Sequence, residues 1–204
     1  LLQIYDGTTA YVVDFTKLPL DRLKLLKPIL EDSRILKIGH NLAFDWKVFY
    51  HNARIEMVHI HDVMISDRMI YAGLRMKHTL KDVTQRRLDI ELDKAIRKEF
   101  IGMNVTDVLF TQEQIDYAAR DTYHLFELYE LQMKDIREKE LIRIYTLEMN
   151  IVAPTAMMEY TGVNINRSLL EAMVEPFEHF VRLADKALQD MLIGNGAAET
   201  ILFS

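Results

Sequence analysis

The stretch Ile35-Leu36-Lys37-Ile38-Gly39-His40-Asn41-Leu42-Ala43-Phe44-Asp45 limits the fold more than any other part of the chain. Its first half is short, apolar and partly β-branched, and it ends on glycine, which predicts a buried strand. The continuation NLAFDWKVFY predicts a helix. Asn41 suits an N-cap, and Leu42, Trp46, Phe49 and Tyr50 follow at helical spacing. A chain that turns from a buried strand straight into an amphipathic helix has to layer helices on a sheet. Asn41 and Asp45 are four residues apart and should share one face of the first turns. The stretch Tyr117-Ala118-Ala119-Arg120-Asp121 repeats this spacing, with a tyrosine four before a carboxylate.

The rest of the chain supports an α/β reading. Leu1–Tyr5 and Ala10–Asp14 predict strands joined by Asp6-Gly7-Thr8-Thr9, a strong hairpin signal. Residues 20–30 predict a leucine-rich helix that Pro28 kinks or ends. Ile55–Ile60 predicts a short strand, followed by a helix from Val63 to Ala72. Thr79 should cap a helix through Arg87. Leu92–Glu99 reads as helix and residues 100–110 as loop. Thr111 and Gln114 form a capping-box pattern, and the helix they open should run to Glu138. The charge run Lys134–Glu140 marks a boundary. A helix over Leu141–Tyr160 with a kink at Pro154, a turn, and a helix over Arg167–Met191 follow. The expected architecture is a mixed sheet flanked by helices, with an α-helical extension.

A net charge of −6 over 204 residues argues against a uniformly basic nucleic-acid binder. Between Arg68 and Lys98, however, nine basic residues meet four acids, and that local excess can track a phosphate backbone as well as solvate helix faces. With no cysteine, any metal must be held by oxygen or histidine, and a reducing cytoplasmic setting fits. No apolar run reaches the roughly 20 residues of a membrane span. Both ends are apolar, and the chain reads as part of a longer protein.

Asp45 and Asp121 are the candidate chemistry. Asp45 follows the end of a buried strand, the edge of an α/β sheet where ligands collect. Carboxylates converging there would bind Mg²⁺ or Mn²⁺, since hard cations take oxygen ligands. Neither Asn-x-x-x-Asp nor Tyr-x-x-x-Asp is specific alone, and the bland role of each aspartate is a helix-dipole partner. His59-x-His61 has the alternation of a metal pair, but no further histidine cluster supports it, and His61 is expected to pack near the cleft. Tyr71, Phe44 and Trp46 are candidates for base stacking, with a core role favoured for Trp46.

Together the two pairs carry more. GHNLAFDWKVF resembles the second motif of the 3′–5′ proofreading exonuclease domain of bacterial DNA polymerase I and its relatives. YAARDTYHLFELY resembles the third motif, in the subclass with tyrosine four before the last aspartate. HDVMISDRMIYAG and Lys77–Asp82 resemble the intervening elements, and residues 147–165 are similar to the passage into the polymerase domain.

That resemblance implies a ribonuclease H-like fold. Residues 1–138 would be the exonuclease domain and 139–204 the helical start of the polymerase domain. It implies a two-metal site in which Asp121 binds the first ion and Asp45 holds the second through water. Tyr117 would place its hydroxyl on the attacking water, and Asn41 would position the terminal nucleotide. His40 joins the cleft, and Arg86 and Arg87 are candidate phosphate contacts. The implied reaction is hydrolysis of the last phosphodiester, releasing nucleoside 5′-monophosphates from single-stranded or frayed DNA 3′ ends. The implied protein is a monomer with a covalently linked polymerase domain. The family's first motif, Asp-x-Glu on the first strand, has no counterpart ahead of Asp45. The chain as written thus holds half a metal site and is expected to bind Mg²⁺ or Mn²⁺ poorly and to hydrolyse little or nothing, with the acidic pair roughly 10–20 residues upstream. The second reading is an RNase D-like RNA exonuclease, which the stretch Leu92-Asp93-Lys94 also suggests. The third is a non-catalytic nucleic-acid-binding domain of the same fold.

Overall fold

The computed structural model describes residues 1–91 and 110–194, which divide into two compact units between Thr161 and Gly162. The expectations for Leu92–Glu99 and residues 100–109 lie outside the described residues.

The first unit opens with the predicted hairpin. Strands β1 (Leu2–Tyr5) and β2 (Ala10–Val13) pair antiparallel, with Leu2 opposite Val13 and Tyr5 opposite Ala10. Asp6 builds the turn: its Oδ1 accepts from the Thr8 and Thr9 amides and the Thr8 hydroxyl, each at 2.8 Å, while Gly7 takes φ +98°. These bonds hold the Asp6 carboxyl down at about 2.

Residues 20–30 depart from the predicted single helix. Leu20–Leu26 form a 3₁₀ helix, and α1 (Lys27–Leu30) begins with Pro28 in its first turn. Pro28 therefore starts a helix rather than ending one, because the first turn has no use for the missing N–H.

Strand β3 (Lys37–Gly39) leads into α2 (Leu42–Ala53), and β4 (Ile60–Asp62) leads into α3 (Val63–Ile70). β3 and β4 run parallel, with Gly39 opposite Asp62. Both strands therefore end at the same level and both turn there into helices. A Cβ on Gly39 would lie 2.3 Å from Leu42 Cδ2, so the bare glycine backbone leaves room for the Leu42 side chain over the strand, and a larger residue there would make that side chain shift. Among the described residues the hairpin and the β3–β4 pair are separate two-stranded sheets.

The remaining helices are α4 (Leu80–Leu88), α5 (Gln112–Tyr123), α6 (Leu125–Glu138) and α7 (Ile142–Thr161). The helix predicted from Thr111 to Glu138 is interrupted at His124, which closes α5 and opens α6. α7 passes through Pro154 without ending, and the first unit reaches Thr161. It does so because α7 buries Met149, Val152 and Ala156, the last two in the core made by Leu42, Trp46 and Phe49 of α2. Lys47–Glu159 at 2.6 Å and the edge contact of Tyr50 with Tyr160 fasten the same two helices. A second cluster joins Val63, Val83 and Leu128 of α3, α4 and α6. No described helix is long and apolar enough to cross a membrane.

In the second unit, α8 (Arg167–Gly194) carries Leu170, Met173, Val174, Phe177 and Val181 at helical spacing, all exposed, with Pro176 inside it.

Candidate nuclease site at the ends of two parallel strands

The paired ends of β3 and β4 gather His40, Asn41, Asp45 and Asp62. Asn41 occupies the predicted N-cap position, but not as a capping residue. Its backbone is left-handed (φ 63°, ψ 47°) and its side chain makes no capping bond. Asparagine tolerates that conformation. The capping oxygens come from Asp62 instead. Its Oδ1 accepts from the Asn41 amide at 3.1 Å, and its Oδ2 accepts from the Leu42 amide at 2.7 Å. The same Oδ1 caps α3, accepting from Met64 at 2.9 Å and Ile65 at 3.2 Å. One wholly buried carboxylate thus caps two helices. Such orphan amides need an acceptor, and a negative charge there is favoured by both helix dipoles.

Asp45 lies in the first turns of α2, half-buried. Burial pushes its carboxyl up to about 6, and the negative charge of Asp62 adds to the shift. The ionised form is therefore under-compensated by the protein, which suits a cation ligand. His40 is half-buried and its Nδ1 has no hydrogen bond among the described residues. Burial pulls its pKa below the usual histidine value, against the pull of Asp62 and Asp67.

Tyr117 and Asp121 lie one turn apart on α5, whose capping box at Thr111–Gln114 forms as predicted. Tyr117 is half-buried. α5 turns Ala118 and Ala119 inward and packs on the β1–β2 hairpin and α6, and α6 in turn packs on β3. Asn41 and Asp45 thus share one anchor with His40 and Asp62, and Tyr117 and Asp121 share another. Among the described residues no cluster of three metal-ligating side chains occurs. Asp45 by its environment fits an oxygen-ligand role for Mg²⁺ or Mn²⁺, but among the described residues it has no ready-made partner set.

Arg86 and Arg87, expected at substrate phosphates, face inward. Both bond the wholly buried Asp67, Arg87 at 3.3 Å, and Arg87 also reaches Asp135 at 2.8 Å. His78 Nδ1 lies 2.6 Å from Asp67, and both guanidinium groups sit about 5 Å over the Tyr71 ring, at 5.0 and 5.2 Å. A count of positive charges cannot reveal a buried carboxylate that neutralises them, and these two arginines brace α3, α4 and α6 rather than present a basic face.

The histidine pair does not form. His59 precedes β4, takes φ 50° and is exposed, whereas His61 is wholly buried. Gln132 Nε2 donates to the Val63 carbonyl at 3.0 Å, which leaves its Oε1 to accept from His61 Nε2 at 2.9 Å. His61 Nδ1 then accepts from the Tyr145 hydroxyl at 3.0 Å. Burial first, partly offset by Gln132 and Asp62, takes this histidine down to about 4. Trp46 is core, as favoured, and Phe44 is exposed. The residue that sequence reasoning missed is Asp62. Its place before a helix signals a local cap, but nothing local signals its bonds to Asn41 and Leu42.

The sequence model of a 3′–5′ exonuclease family matches residues 1–136. Ribonuclease D of Zymomonas mobilis is 27% identical over 139 residues, 68% of this chain and 34% of that protein. DNA polymerase I of Rhizobium leguminosarum is 26% identical over 158 residues, 75% of this chain and 15% of that protein. The chain thus spans about a third or less of the length of these relatives. Brucella melitensis NrnC bound to pGG superposes with a TM-score of 0.64 at 21% identity, covering 80% of this chain and 78% of that one. This likeness shows a shared ribonuclease H-like fold.

Proposed function

Because the chain belongs to the 3′–5′ exonuclease family, we propose that it trims single-stranded RNA from its 3′ end in the manner of ribonuclease D, releasing nucleoside 5′-monophosphates. The observation that carries this reading is Asp45, a desolvated carboxylate at the shared end of two parallel strands, inside the family match. Asp45 and Asp121 are the proposed ligands for Mg²⁺ or Mn²⁺. When bound, such ions lower the pKa of an attacking water and stabilise the charge that develops at phosphorus. Tyr117 would orient that water through its hydroxyl. Asn41 and His40, at the turn beside Asp45, would meet the terminal nucleotide. Arg86 and Arg87 are left out, since Asp67 occupies them.

Ribonuclease D relatives match at 27–28% identity, and their parallel to this chain favours RNA. A second reading, the proofreading domain of a family A DNA polymerase with its polymerase domain attached, is kept for one reason. The match to DNA polymerase I runs over 158 residues, further than the 139 of ribonuclease D.

The test is degradation of 3′-labelled single-stranded RNA and DNA with Mg²⁺ or Mn²⁺, on this chain and on the full polypeptide its gene encodes. The chain alone should be weak, having no Asp-x-Glu ahead of Asp45. In the full polypeptide Asp45→Ala and Asp121→Ala should abolish activity, and Tyr117→Phe should lower kcat by about 10²-fold with metal binding retained. Unchanged rates in Asp45→Ala would overturn the site. Faster degradation of DNA than RNA would move the assignment to the second reading.

A further inference from the structure

We propose that Asp62 is a positioning residue that sets the orientation of Asp45, an inference that rests on the metal reading of the site. Asp45 projects from the first turns of α2, so its direction depends on how that helix leaves β3. The turn between them cannot hold itself: Asn41 is left-handed and offers no side-chain cap. What holds it is a carboxylate 20 residues further on, at the register partner of Gly39. Two bonds run from Asp62 to the Asn41 and Leu42 amides and two to its own helix. Three of the four amides meet Oδ1 and one meets Oδ2. Asp62 is also wholly buried. Its bonds all go to backbone amides at the two helix starts, and it acts through the backbone that carries Asp45. The strand-level pairing, the burial and the bond directions all belong to one rigid clasp between the two helix starts. Its work is the kind that outer-shell groups do for metal ligands, where loss costs about 10–100-fold in affinity.

The two oxygens divide the labour, and this makes the clasp testable. Oδ2 serves Leu42 alone, while Oδ1 serves Asn41 and the α3 cap. Asp62→Asn can keep its oxygen on the α3 side, as asparagine is a good N-cap, but then turns an amide NH₂ toward Leu42 N–H. The experiment is NMR on the whole 204-residue chain, with amide hydrogen exchange and with Mn²⁺ alone as probe, read by paramagnetic broadening. In Asp62→Asn the Leu42 amide should exchange about 10–100-fold faster, with Met64 and Ile65 changed by less than about 3-fold. Mn²⁺ should broaden amides around Asp45 with at least about 10-fold weaker affinity than in wild type. Asp62→Ser, which also keeps a local cap but cannot reach Leu42, should do the same and serves if the asparagine variant does not fold. In wild type, a trans-hydrogen-bond coupling should link Leu42 N to Asp62 Cγ. Its absence, an unchanged Leu42 exchange rate, or unchanged Mn²⁺ affinity in both variants would overturn the proposal. The control is Asp45→Asn. If it abolishes the broadening while the Asp62 variants leave it intact, the metal reading stands and the clasp alone falls. If it leaves the broadening intact, the metal reading itself falls, and this inference with it.

Discussion

Helices α2 and α5 carry the two halves of the candidate site, and they start in opposite ways. α5 begins on a capping box closed within four residues: the Gln114 amide donates to Thr111 Oγ1 at 3.2 Å, and Gln114 Oε1 accepts from the Thr111 amide at 3.1 Å. α2 begins on a left-handed asparagine, and its first amides are met by Asp62 from another strand. A local cap forms whenever its own residues meet, so it survives rearrangement of the surroundings. A borrowed cap exists only when β3 and β4 are in register. The half of the site on α2 is therefore coupled to the tertiary core, and the half on α5 to its own sequence.

The largest expected effect breaks the borrowed cap. Asp62→Ala leaves four amides, one buried and three partly buried, without their acceptor and should cost on the order of 3–5 kcal/mol, read as a lower urea midpoint. A cost near that of a single surface cap would make the two helix starts equivalent after all.

The next concerns charge in the first turns of α2. Asp45 has its folded pKa raised from 3.8 to about 6. Its contribution is thus fully present below pH 3.8 and is lost as pH rises through 6. Asp45→Asn should remove that loss. The variant should gain about 1–3 kcal/mol over wild type between pH 4 and pH 7, a range lowered for partial solvent screening. Paired urea titrations across that range check it, and millimolar Mn²⁺ should narrow the gap at pH 7 by stabilising wild type only. A gap that does not change with pH would mean that Asp45 ionises freely in the fold.

The smallest effect is at the local cap. Thr111→Ala should cost about 1 kcal/mol and leave amide exchange at Leu42 as in wild type. A larger loss, or one that spreads to α2, would show the two halves coupled through α6 and β3.

Much of this architecture was legible from local chemistry. The Asp6-Gly7 hairpin, the strand-to-helix turn at Gly39, the Thr79 cap and the Thr111 capping box each depend on residues within a few positions, and each forms. Thr79 accepts from the Asp82 amide as the spacing predicts. The misreadings share a cause. For Pro28 and Asn41, residue type and neighbours suggest one role, while the role each takes depends on what arrives from elsewhere. Pro28 opens α1 after a 3₁₀ segment. The arginines meet Asp67 of α3, and the cap for α2 comes from β4. The single helix expected over Thr111–Glu138 breaks at His124, for which the sequence offers neither glycine nor proline.

By itself the sequence determined the strand and helix types, most of their starts, the placing of Asp45 and Asp121 on helices, and the resemblance to 3′–5′ exonucleases, because period, capping and motif spacing act over a few residues. Only the tertiary structure decided which carboxylates are spent and which are available. Asp62 and Asp67 sit before or within the same helix and look alike in the chain, yet one is consumed by backbone amides and the other by arginines. Asp45 is left desolvated with its charge uncompensated. That difference comes from which groups the folded chain brings to each oxygen, and no stretch of sequence contains both partners.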